Sequence, residues 1–500
     1  MYMKELVNKM SNLFTMYKGM SFGLLAIWAA ALALAFFNQI NYSPIAMVVS
    51  LVVVVASVYG ASYACGRIFG VQVHGESSLI TGIILALIIS PTLEVGGLVV
   101  LLFAGVIAGV SKFIVVHNGR HIFNPAALAA FVIGVAGLGG ASWWVATPVL
   151  APIVLLVIGI VLYKSHRLLV AGVFLAVAVP ILLIIFATYG TTFLENAYLL
   201  LSWPLLFVAG VMLIEPLTLP PRKWQMYVEA AIVGVLFAVP LNLIIIDMTP
   251  ALAILVGNIV ATIFLARERI SLVFKKRRPL TPTTDEYIFT PNKPIHFTAG
   301  QYLEVQLPHK KADFRGYRRS FSVTSAPGEN EIAFGIKFYT PSSSFKAALK
   351  ALPLGSTISA TGYWGDFVLP KNPSTPVLYI AGGIGITPFI SHLQATKKDI
   401  RNTVLIYAVN NPDEIAYKDI LIRSGIKVII VTKEKLQDLP YGWKQVKHSR
   451  ISEDIIAKCV TDITKRHAYI SGPTPFVGST KRALKALKAK HIETDYFVGY

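Results

Sequence analysis

Residues 377–388 read VLYIAGGIGITP, and this stretch decides the fold of the C-terminal half. Its first five residues are apolar and strand-like, and glycines follow at 382, 383 and 385 before helix-forming sequence. A strand, a glycine turn and a helix are the context that a nucleotide-binding turn requires, because glycines let the backbone approach a pyrophosphate. Apolar segments at 403–409, 428–431 and 468–471 alternate with helical sequence. Residues 373–500 are therefore predicted to form an α/β domain with a parallel sheet.

The residues before this domain have a different pattern. Short strand-like runs separated by Pro and Gly occupy 287–290, 302–307, 319–324, 331–339 and 357–360. This spacing predicts a small antiparallel β-barrel over residues 281–372. Residues 271–280 contain the basic run KKRR at 275–278, which predicts a juxtamembrane linker attracted to anionic membrane lipid.

Five motifs then occur in a fixed order: RSFS at 319–322, SSFK at 343–346, GYWGDF at 362–367, GGIGITP at 382–388 and SGP at 471–473. Together they resemble the ferredoxin–NADP⁺ reductase superfamily. The resemblance implies that the barrel binds FAD and that the α/β domain binds NADH or NADPH. The choice between the two nucleotides stays open, because Asn410 and Asn411 offer no carboxylate for a ribose diol and Lys433 is by default a surface lysine.

The resemblance also assigns roles to single residues. Arg319 is implied to pair with the FAD pyrophosphate, and a planar guanidinium suits a bidentate phosphate contact. Ser322, Ser471 (where the family has cysteine) and the terminal Tyr500 are implied catalytic residues near the flavin and the nicotinamide. The implied cofactor-binding residues are Arg319, Phe321, Ser322, Ser343, Ser344, Gly362, Gly365, Gly382, Gly383, Gly385, Thr387, Pro388, Gly472 and Pro473. Thr387 is expected to cap the helix that follows the turn.

The N-terminal half has the composition of a membrane protein. The chain is 55% hydrophobic and only 14% charged, against about 25% charged in soluble proteins. Most Lys and Arg lie beyond Ile270, so residues 1–270 are predicted to be a polytopic membrane domain. Ten apolar segments are candidate spans of an α-helical domain: 22–38, 44–64, 78–92, 95–115, 124–140, 146–163, 168–188, 196–215, 228–246 and 250–266.

The loops give this domain an orientation. Lys and Arg fall in alternate connections, and the intervening ones (39–43, 93–94, 141–145, 189–195 and 247–249) contain neither. The positive-inside rule then places both termini and the reductase domain in the cytoplasm of a prokaryotic cell, with the chain a multi-pass protein of the cytoplasmic membrane. Similar segments recur at an offset of about 125 residues, as at Pro125-Ala126 and Pro250-Ala251, which predicts an inverted repeat of five helices each.

Residues 119–126, GRHIFNPA, carry a second resemblance, to the family of flavin-carrying membrane proteins shared by the sodium-pumping NADH:quinone reductase and the Rnf complex. The resemblance covers residues 20–266 and implies a flavin site near His121 and Asn124. That family attaches FMN covalently to a threonine, but residues 202–205 read SWPL and the acceptor is missing. A non-covalent FMN in this domain is left open. Haem is disfavoured, because His117 and His121 lie outside the predicted spans.

Other classes are excluded by composition. Only two cysteines, Cys65 and Cys459, are present, so the chain alone cannot ligate an iron–sulfur cluster, and no metal site is expected. The net charge of +19 fits a cytoplasmic membrane face and phosphate binding, and no nucleic-acid partner is expected. We expect electrons to pass from NAD(P)H through FAD to a membrane-domain cofactor, a quinone or a partner protein, with other redox subunits conceivable as partners. The alternatives are a reductase for ferredoxin or flavodoxin that is only anchored by the membrane domain, and a transporter fused to a reductase.

Overall fold

The computed structural model describes residues 16–70, 73, 75–117, 120–241, 247–264, 269–310, 313, 317–396 and 401–497. The chain divides into two compact units, Met1–Leu265 (unit 1) and Ala266–Tyr500 (unit 2). The boundary lies close to the change in composition at residue 270, where apolar sequence gives way to charged sequence. Each unit has its own hydrophobic cores.

Unit 1 is helical in the residues described. Its helices are α1 (Met16–Phe36), α2 (Pro44–Ile68), α3 (Gly75–Ile88), α4 (Val95–Ile114), α5 (Pro125–Val135), α6 (Ala151–Ser165), α7 (Leu168–Thr188), α8 (Phe193–Ser202), α9 (Leu205–Met212), α10 (Lys223–Ala238) and α11 (Pro250–Phe264). A two-stranded hairpin, β1 (Val116–His117) with β2 (Arg120–His121), precedes α5. Each predicted span overlaps one of these helices, and the eighth coincides with the pair α8 and α9.

Fewer of these helices are long enough to span a membrane than the ten that the sequence predicts. Four described helices are long and apolar enough to cross a bilayer, namely Tyr17–Phe36, Pro44–Ile68, Val95–Ile114 and Leu168–Thr188. The pair α8 and α9, bent by 48°, makes a fifth if it is one span. The apolar helices α3, α5, α6 and α11 have 11 to 15 residues, below the roughly 20 that a bilayer requires.

The first sheet of unit 2 is antiparallel, with six strands in the order β6-β5-β8-β3-β4-β7. Its strands are β3 (Arg269–Thr281), β4 (Thr284–Pro291), β5 (Tyr302–Gln306), β6 (Arg318–Ser322), β7 (Ile332–Lys337) and β8 (Thr357–Trp364). An isolated bridge between Val323 and Phe334 also joins the β6 end of the sheet to β7. The helix α12 (Ser344–Lys350) packs Phe345 and Leu349 into the core of this sheet.

The predicted linker at 271–280 is wrong, because these residues lie within strand β3. Ile270, Leu272 and Phe274 alternate along it and are buried, as a half-buried strand requires. Three of the four basic side chains, although partly exposed, pair with acidic residues of the same sheet or its loops. Lys275 pairs with Glu331 at 2.5 Å, and Arg278 pairs with Glu286 at 2.7 Å.

The second sheet has six parallel strands in the order β12-β11-β10-β9-β13-β14. The strands are β9 (Val377–Gly382), β10 (Thr403–Ala408), β11 (Lys427–Thr432), β12 (Lys444–Lys447), β13 (His467–Pro473) and β14 (His491–Phe497). The crossover helices are α13 (Thr387–Ala395), α14 (Lys418–Arg423), α15 (Glu453–Cys459) and α16 (Thr474–Ala486). The chain therefore returns to β9 with β13 on its other side, and the carboxyl ends of β9, β13 and β14 meet at one edge.

A buried histidine joins the two sheets of unit 2. His392 on α13 has no exposed surface, and its Nε2 hydrogen-bonds the Phe367 carbonyl at 3.0 Å. Its ring stacks on Phe367 and packs against Tyr379. Burial lowers the pKa of His392 from its ordinary 6.5 to about 4. The imidazole therefore stays neutral at physiological pH and fixes the segment after the barrel to the α/β domain.

This depressed pKa predicts that unit 2 loses stability in mild acid. An unfolded histidine takes up a proton below about pH 6.5, whereas folded His392 resists protonation down to about 4. The free energy of unfolding should therefore fall as the pH drops through this window, by about 3 kcal/mol at most. In His392→Gln that slope should be reduced, as measured by hydrogen exchange of β9 amides in the full-length protein. An unchanged slope in this variant would contradict the assignment.

Candidate functional site

A cavity of unit 2 lies where the antiparallel sheet meets the carboxyl edge of the parallel sheet. Its volume is about 480 Å³, within the roughly 300–1,000 Å³ of ligand pockets. Strands β6 and β7, the glycine turn and the end of β14 supply its walls. The lining residues are Tyr302, Arg318, Arg319, Ser320, Phe321, Ser322, Gly335, Ile336, Lys337, Lys346, Ile384, Thr387, Thr494, Asp495, Tyr496 and Phe497. The structure thus brings four predicted residues, Arg319, Phe321, Ser322 and Thr387, to one cavity.

Arg319 is held by its neighbours on the wall of this cavity. Its Nη1 donates to the Arg318 carbonyl at 2.6 Å, and its guanidinium lies 5.2 Å from the centre of the Phe345 ring. Its Nη2 faces Asp313 Oδ1 at 3.4 Å. The side chain is only 14% exposed, so its fork is fixed before any phosphate arrives.

The predicted second phosphate segment meets Arg319 through Asp313. Ser343 caps α12, its Oγ accepting from the Lys346 amide at 3.3 Å. The Ser344 amide donates to Asp313 Oδ2 at 3.1 Å, and the Asp313 amide donates to Ser344 Oγ at 2.8 Å. One carboxylate therefore contacts both groups that the resemblance assigns to the flavin pyrophosphate. Because a carboxylate is an anion with two acceptor oxygens, it marks this place as an anion site.

Two glycines of the turn, Gly382 and Gly385, are packed too tightly for a larger residue. A Cβ on Gly385 would lie 2.3 Å from the Ser471 carbonyl oxygen, and one on Gly382 would lie 2.8 Å from the Phe476 ring. Gly383 has φ of +55°, and Gly472, which has φ of +151°, faces the Gly382 carbonyl. The two motifs 382–388 and 471–473 are therefore in direct contact.

The residues after the glycines start helix α13. Pro388 lies in its first turn, where a missing N–H costs nothing. Thr387 was predicted to cap this helix, but its hydroxyl donates to the Ile384 carbonyl at 3.0 Å instead. The short helix Gly383–Ile386 places Thr387 inside the helical run, so its hydroxyl bonds backward along the chain.

Ser471 is fully buried at the end of β13, and its register partner on β14 is Asp495. The Ser471 hydroxyl donates to Asp495 Oδ2 at 3.4 Å. Asp495 lines the cavity, and burial raises its pKa to about 6, against the lowering effect of that hydrogen bond. Asp495 therefore places a titratable carboxyl at the cavity wall, and the buried Ser471 hydroxyl holds it there. Pro473, the last residue of the SGP motif, is exposed at the strand end.

The raised pKa of Asp495 predicts a pH-dependent reductase. Below about pH 6 the carboxyl is neutral, and above it a negative charge faces the cavity and opposes the electrons that arrive there. We expect the rate of NAD(P)H oxidation with an artificial acceptor to fall as the pH rises through about 6. The inflection should vanish in Asp495→Asn and persist in Glu493→Gln, a matched change on the same strand. An inflection retained by Asp495→Asn would contradict this assignment.

The remaining predicted residues have other places. Gly362 and Gly365, with φ of +59° and +114°, make the turns around Trp364 and do not line the cavity. Gln301 Nε2 donates to the Gly365 carbonyl at 3.3 Å, which fixes this turn to the start of β5. Tyr500 lies outside the described residues. Lys337, Asp313 and Asp495 were not predicted as site residues, although Asp495 directly precedes the aromatic Tyr496-Phe497 of the chain end.

In unit 1 the structure separates His121 from Asn124. Asn124 caps α5, its Oδ1 accepting from the amides of Ala126 and Ala127 at 3.1 Å. The backbone amide of Asn124 donates to Asn258 Oδ1 at 2.8 Å, and Asn258 Nδ2 donates to Glu229 Oε1 at 3.4 Å. Asn124 therefore ties α5, α10 and α11 together. His121 lies on β2 and is absent from the lining of the cavity beside Asn124.

That cavity does not fit FMN. It has a volume of about 50 Å³, enough for one or two water molecules and far below a flavin pocket. The Asn124 side chain is already engaged, because its Oδ1 accepts from the α5 amides and its Nδ2 donates to the Met212 carbonyl at 3.3 Å. No role for FMN is therefore assigned to the residues of this cavity.

The cavity of unit 2, by contrast, fits FAD. It has the volume for a ring system, the aromatic Phe321 in its wall, and basic side chains at Arg319, Lys337 and Lys346. The Asp313 carboxylate contacts Arg319 and the Ser344 amide, and a phosphate would bind the same two groups. These residues would hold the cofactor.

Part of the chain is similar to known oxidoreductases. Residues 379–482 match the family model described as oxidoreductase NAD-binding domain. The reductase component of propane 2-monooxygenase from Mycolicibacterium smegmatis is 29% identical over 229 residues, which are 43% of this chain and 63% of that protein. The electron transfer component of 2-halobenzoate 1,2-dioxygenase from Burkholderia cepacia is 28% identical over 210 residues, 40% of this chain and 57% of that protein. The chain thus spans less than two thirds of either relative.

Among solved structures, the FAD/NAD-binding domain of a nitric oxide dioxygenase from Vibrio cholerae aligns with 18% identity and a TM-score of 0.40. The alignment covers 45% of this chain and 98% of that domain.

The motifs and the sequence matches define the class of protein. The chain carries an oxidoreductase NAD-binding domain over residues 379–482, and it is similar to a reductase component and an electron transfer component of oxygenases. The segment matched by the family model, residues 379–482, lies within unit 2.

Proposed function

We propose that this chain is a membrane-bound flavoprotein oxidoreductase that takes electrons from NAD(P)H and delivers them to a quinone or a partner protein. The observation that carries the proposal is the joint cavity of unit 2. The wall with Arg319, Phe321 and Ser322 faces the wall with Thr387 and Asp495 across one volume of about 480 Å³. A flavin and a nicotinamide held on these two walls would be in contact.

The residues of the chain perform binding, placement and proton handling. Arg319 binds phosphate, and Gly382, Gly383 and Gly385 let the dinucleotide backbone approach the turn. Ser471 and Asp495 hold a hydroxyl and a carboxyl at the place where the nicotinamide would lie. FAD, when bound, converts a transferred pair of electrons into single-electron steps.

We further propose that unit 1 lies in the cytoplasmic membrane with unit 2 in the cytoplasm. The four long apolar helices and the alternation of basic loops support this. Equivalent packing in the two halves supports the inverted repeat, since α4 packs on α2 and α5 as α10 packs on α7 and α11. The offset of about 125 residues relates these pairs.

The acceptor is proposed to lie outside the chain. The cavity beside Asn124 is far smaller than a flavin, so a redox cofactor at this place in unit 1 is not favoured by the geometry. The two sequence relatives named above are, by their names, a reductase component and an electron transfer component. A protein acceptor is therefore the first candidate, and a membrane quinone is the second.

A transport role for unit 1 is the alternative that one observation favours. Helices α8 and α9 form a pair bent by 48°, and discontinuous helices are common in transporters.

The test of the proposed function is anaerobic reduction of the purified full-length protein in detergent. Addition of NADH or NADPH should bleach the flavin absorbance. Subsequent addition of a ferredoxin or a quinone analogue should reoxidise the flavin and restore the absorbance. If the flavin is bleached but neither acceptor class reoxidises it, the proposed acceptors are wrong. Only the proposed reduction of the flavin by NAD(P)H would then stand.

A further inference from the structure

The Asp313 carboxylate sits on the two groups that a flavin pyrophosphate would use. Its Oδ1 faces Arg319 Nη2 at 3.4 Å, and its Oδ2 accepts from the Ser344 amide at 3.1 Å. Both side chains of the ion pair are largely shielded from solvent, with 14% of Arg319 and 21% of Asp313 exposed. The Asp313 carboxylate therefore links Arg319 on β6 to Ser344 at the start of α12.

Neighbouring hydrogen bonds hold this carboxylate in place. The Asp313 amide donates to Ser344 Oγ at 2.8 Å, which makes the pairing with Ser344 reciprocal. His309 Nε2 lies 3.0 Å from the same hydroxyl, and its Nδ1 lies 2.8 Å from the Leu307 carbonyl. Because Nδ1 must donate to a carbonyl, a neutral His309 accepts from Ser344 at Nε2. The Ser344 hydroxyl is thus oriented by Asp313 and His309 together.

A phosphate and this carboxylate compete for the same donors. Oδ2 of Asp313 accepts from the one N–H of the Ser344 amide, and Oδ1 accepts from one N–H of the Arg319 guanidinium. Two like charges at one site repel, so binding of one anion lowers the affinity for the other. FAD uptake at this site is then an exchange of one anion for another.

We propose that Asp313 is a built-in competitor for the flavin pyrophosphate, which keeps Arg319 and Ser344 oriented and is displaced when FAD binds. The inference rests on the proposed function, since it takes FAD as the ligand of this cavity. In this role Asp313 lowers the affinity for FAD, whereas Arg319 raises it. Removal of the negative charge should tighten FAD binding, although it deletes an ion pair.

The test is flavin affinity of the full-length protein in detergent after removal of bound flavin. Asp313→Asn keeps an oxygen for the Ser344 amide but loses the charge. We expect its Kd for FAD to fall about three- to tenfold, the range that a partly shielded ion pair supports. ADP, which carries the pyrophosphate without the flavin ring, should gain by the same factor, and riboflavin, which has no phosphate, should not change.

Two controls isolate the mechanism. Asp285→Asn removes a carboxylate 3.6 Å from Arg277, away from the cavity, and should leave all three affinities unchanged. In an Arg319→Ala background, Asp313→Asn should have a much smaller effect, because the contested partner is gone. Asp313→Ser serves as a second variant if the first is poorly folded.

An unchanged or weaker Kd for FAD in Asp313→Asn overturns the inference, and so does an equal gain for riboflavin. A wild-type protein that binds no FAD at all defeats the proposed function instead.

Discussion

Arg319→Ala should yield a full-length protein that purifies with little or no FAD and does not oxidise NAD(P)H. The guanidinium is fixed by the Arg318 carbonyl, by the Phe345 ring and by Asp313, so its fork is ready for phosphate. Hydrogen bonds to charged groups contribute about 1.5–3 kcal/mol each, so the affinity for FAD should fall about 10- to 100-fold. The measurement is flavin per chain after gel filtration, together with NAD(P)H oxidation.

A matched control separates phosphate binding from general charge loss. Arg277→Ala removes an arginine paired with Asp285 on the same sheet but outside the cavity, and it should keep both FAD and activity. Arg319→Lys keeps the charge without the fork and should give an intermediate affinity. An Arg319→Ala protein that is replete with FAD and active would refute the role of this residue.

Gly385→Ala should abolish NAD(P)H oxidation while FAD remains bound. The added methyl group would lie 2.3 Å from the Ser471 carbonyl oxygen, which is closer than any real contact. The turn or the end of β13 must then shift, and a displacement of about 1 Å at a reacting centre can cost on the order of 100-fold in rate. The barrel side of the cavity, with Arg319 and Phe321, is not in this contact.

Stopped-flow reduction of the bound flavin by NADH and NADPH measures this effect directly. Gly478→Ala is the matched control, because a methyl group there meets nothing within 4 Å and the residue lies in helix α16. The control should reduce its flavin at the wild-type rate. A Gly385→Ala protein with normal hydride transfer would show that the two motifs do not need their close contact.

The sequence predicted the parts of unit 2 that carry strong local patterns. Apolar strands such as Val377–Gly382 and the glycine turn after it are defined by residues that only one structure suits. Strand β14 was missed because His491–Phe497 is largely polar and half-exposed, so no alternation marks it. Strand β3 was missed because its run of four basic residues outweighed the alternation of Ile270, Leu272 and Phe274.

The candidate site shows the same limit. Arg319, Phe321 and Ser322 lie in a recognisable motif and do meet at the cavity. Asp313 has no such signal, since it is a single carboxylate whose meaning depends on Ser344, which is 31 residues away along the chain. Asn124 was correctly placed at a helix start, but only the structure shows that its side chain caps the helix while its backbone amide donates to Asn258 on α11.

The most direct test of the central claim is the identity and stoichiometry of flavin in the purified full-length protein, followed by anaerobic addition of NAD(P)H. We expect one FAD per chain, released by acid, with no FMN, and bleached by NADH or NADPH. A protein without FAD, or one whose FAD neither nucleotide reduces, would contradict it. A second flavin, whether released or covalently attached, would show that unit 1 holds a cofactor that its described cavity does not fit.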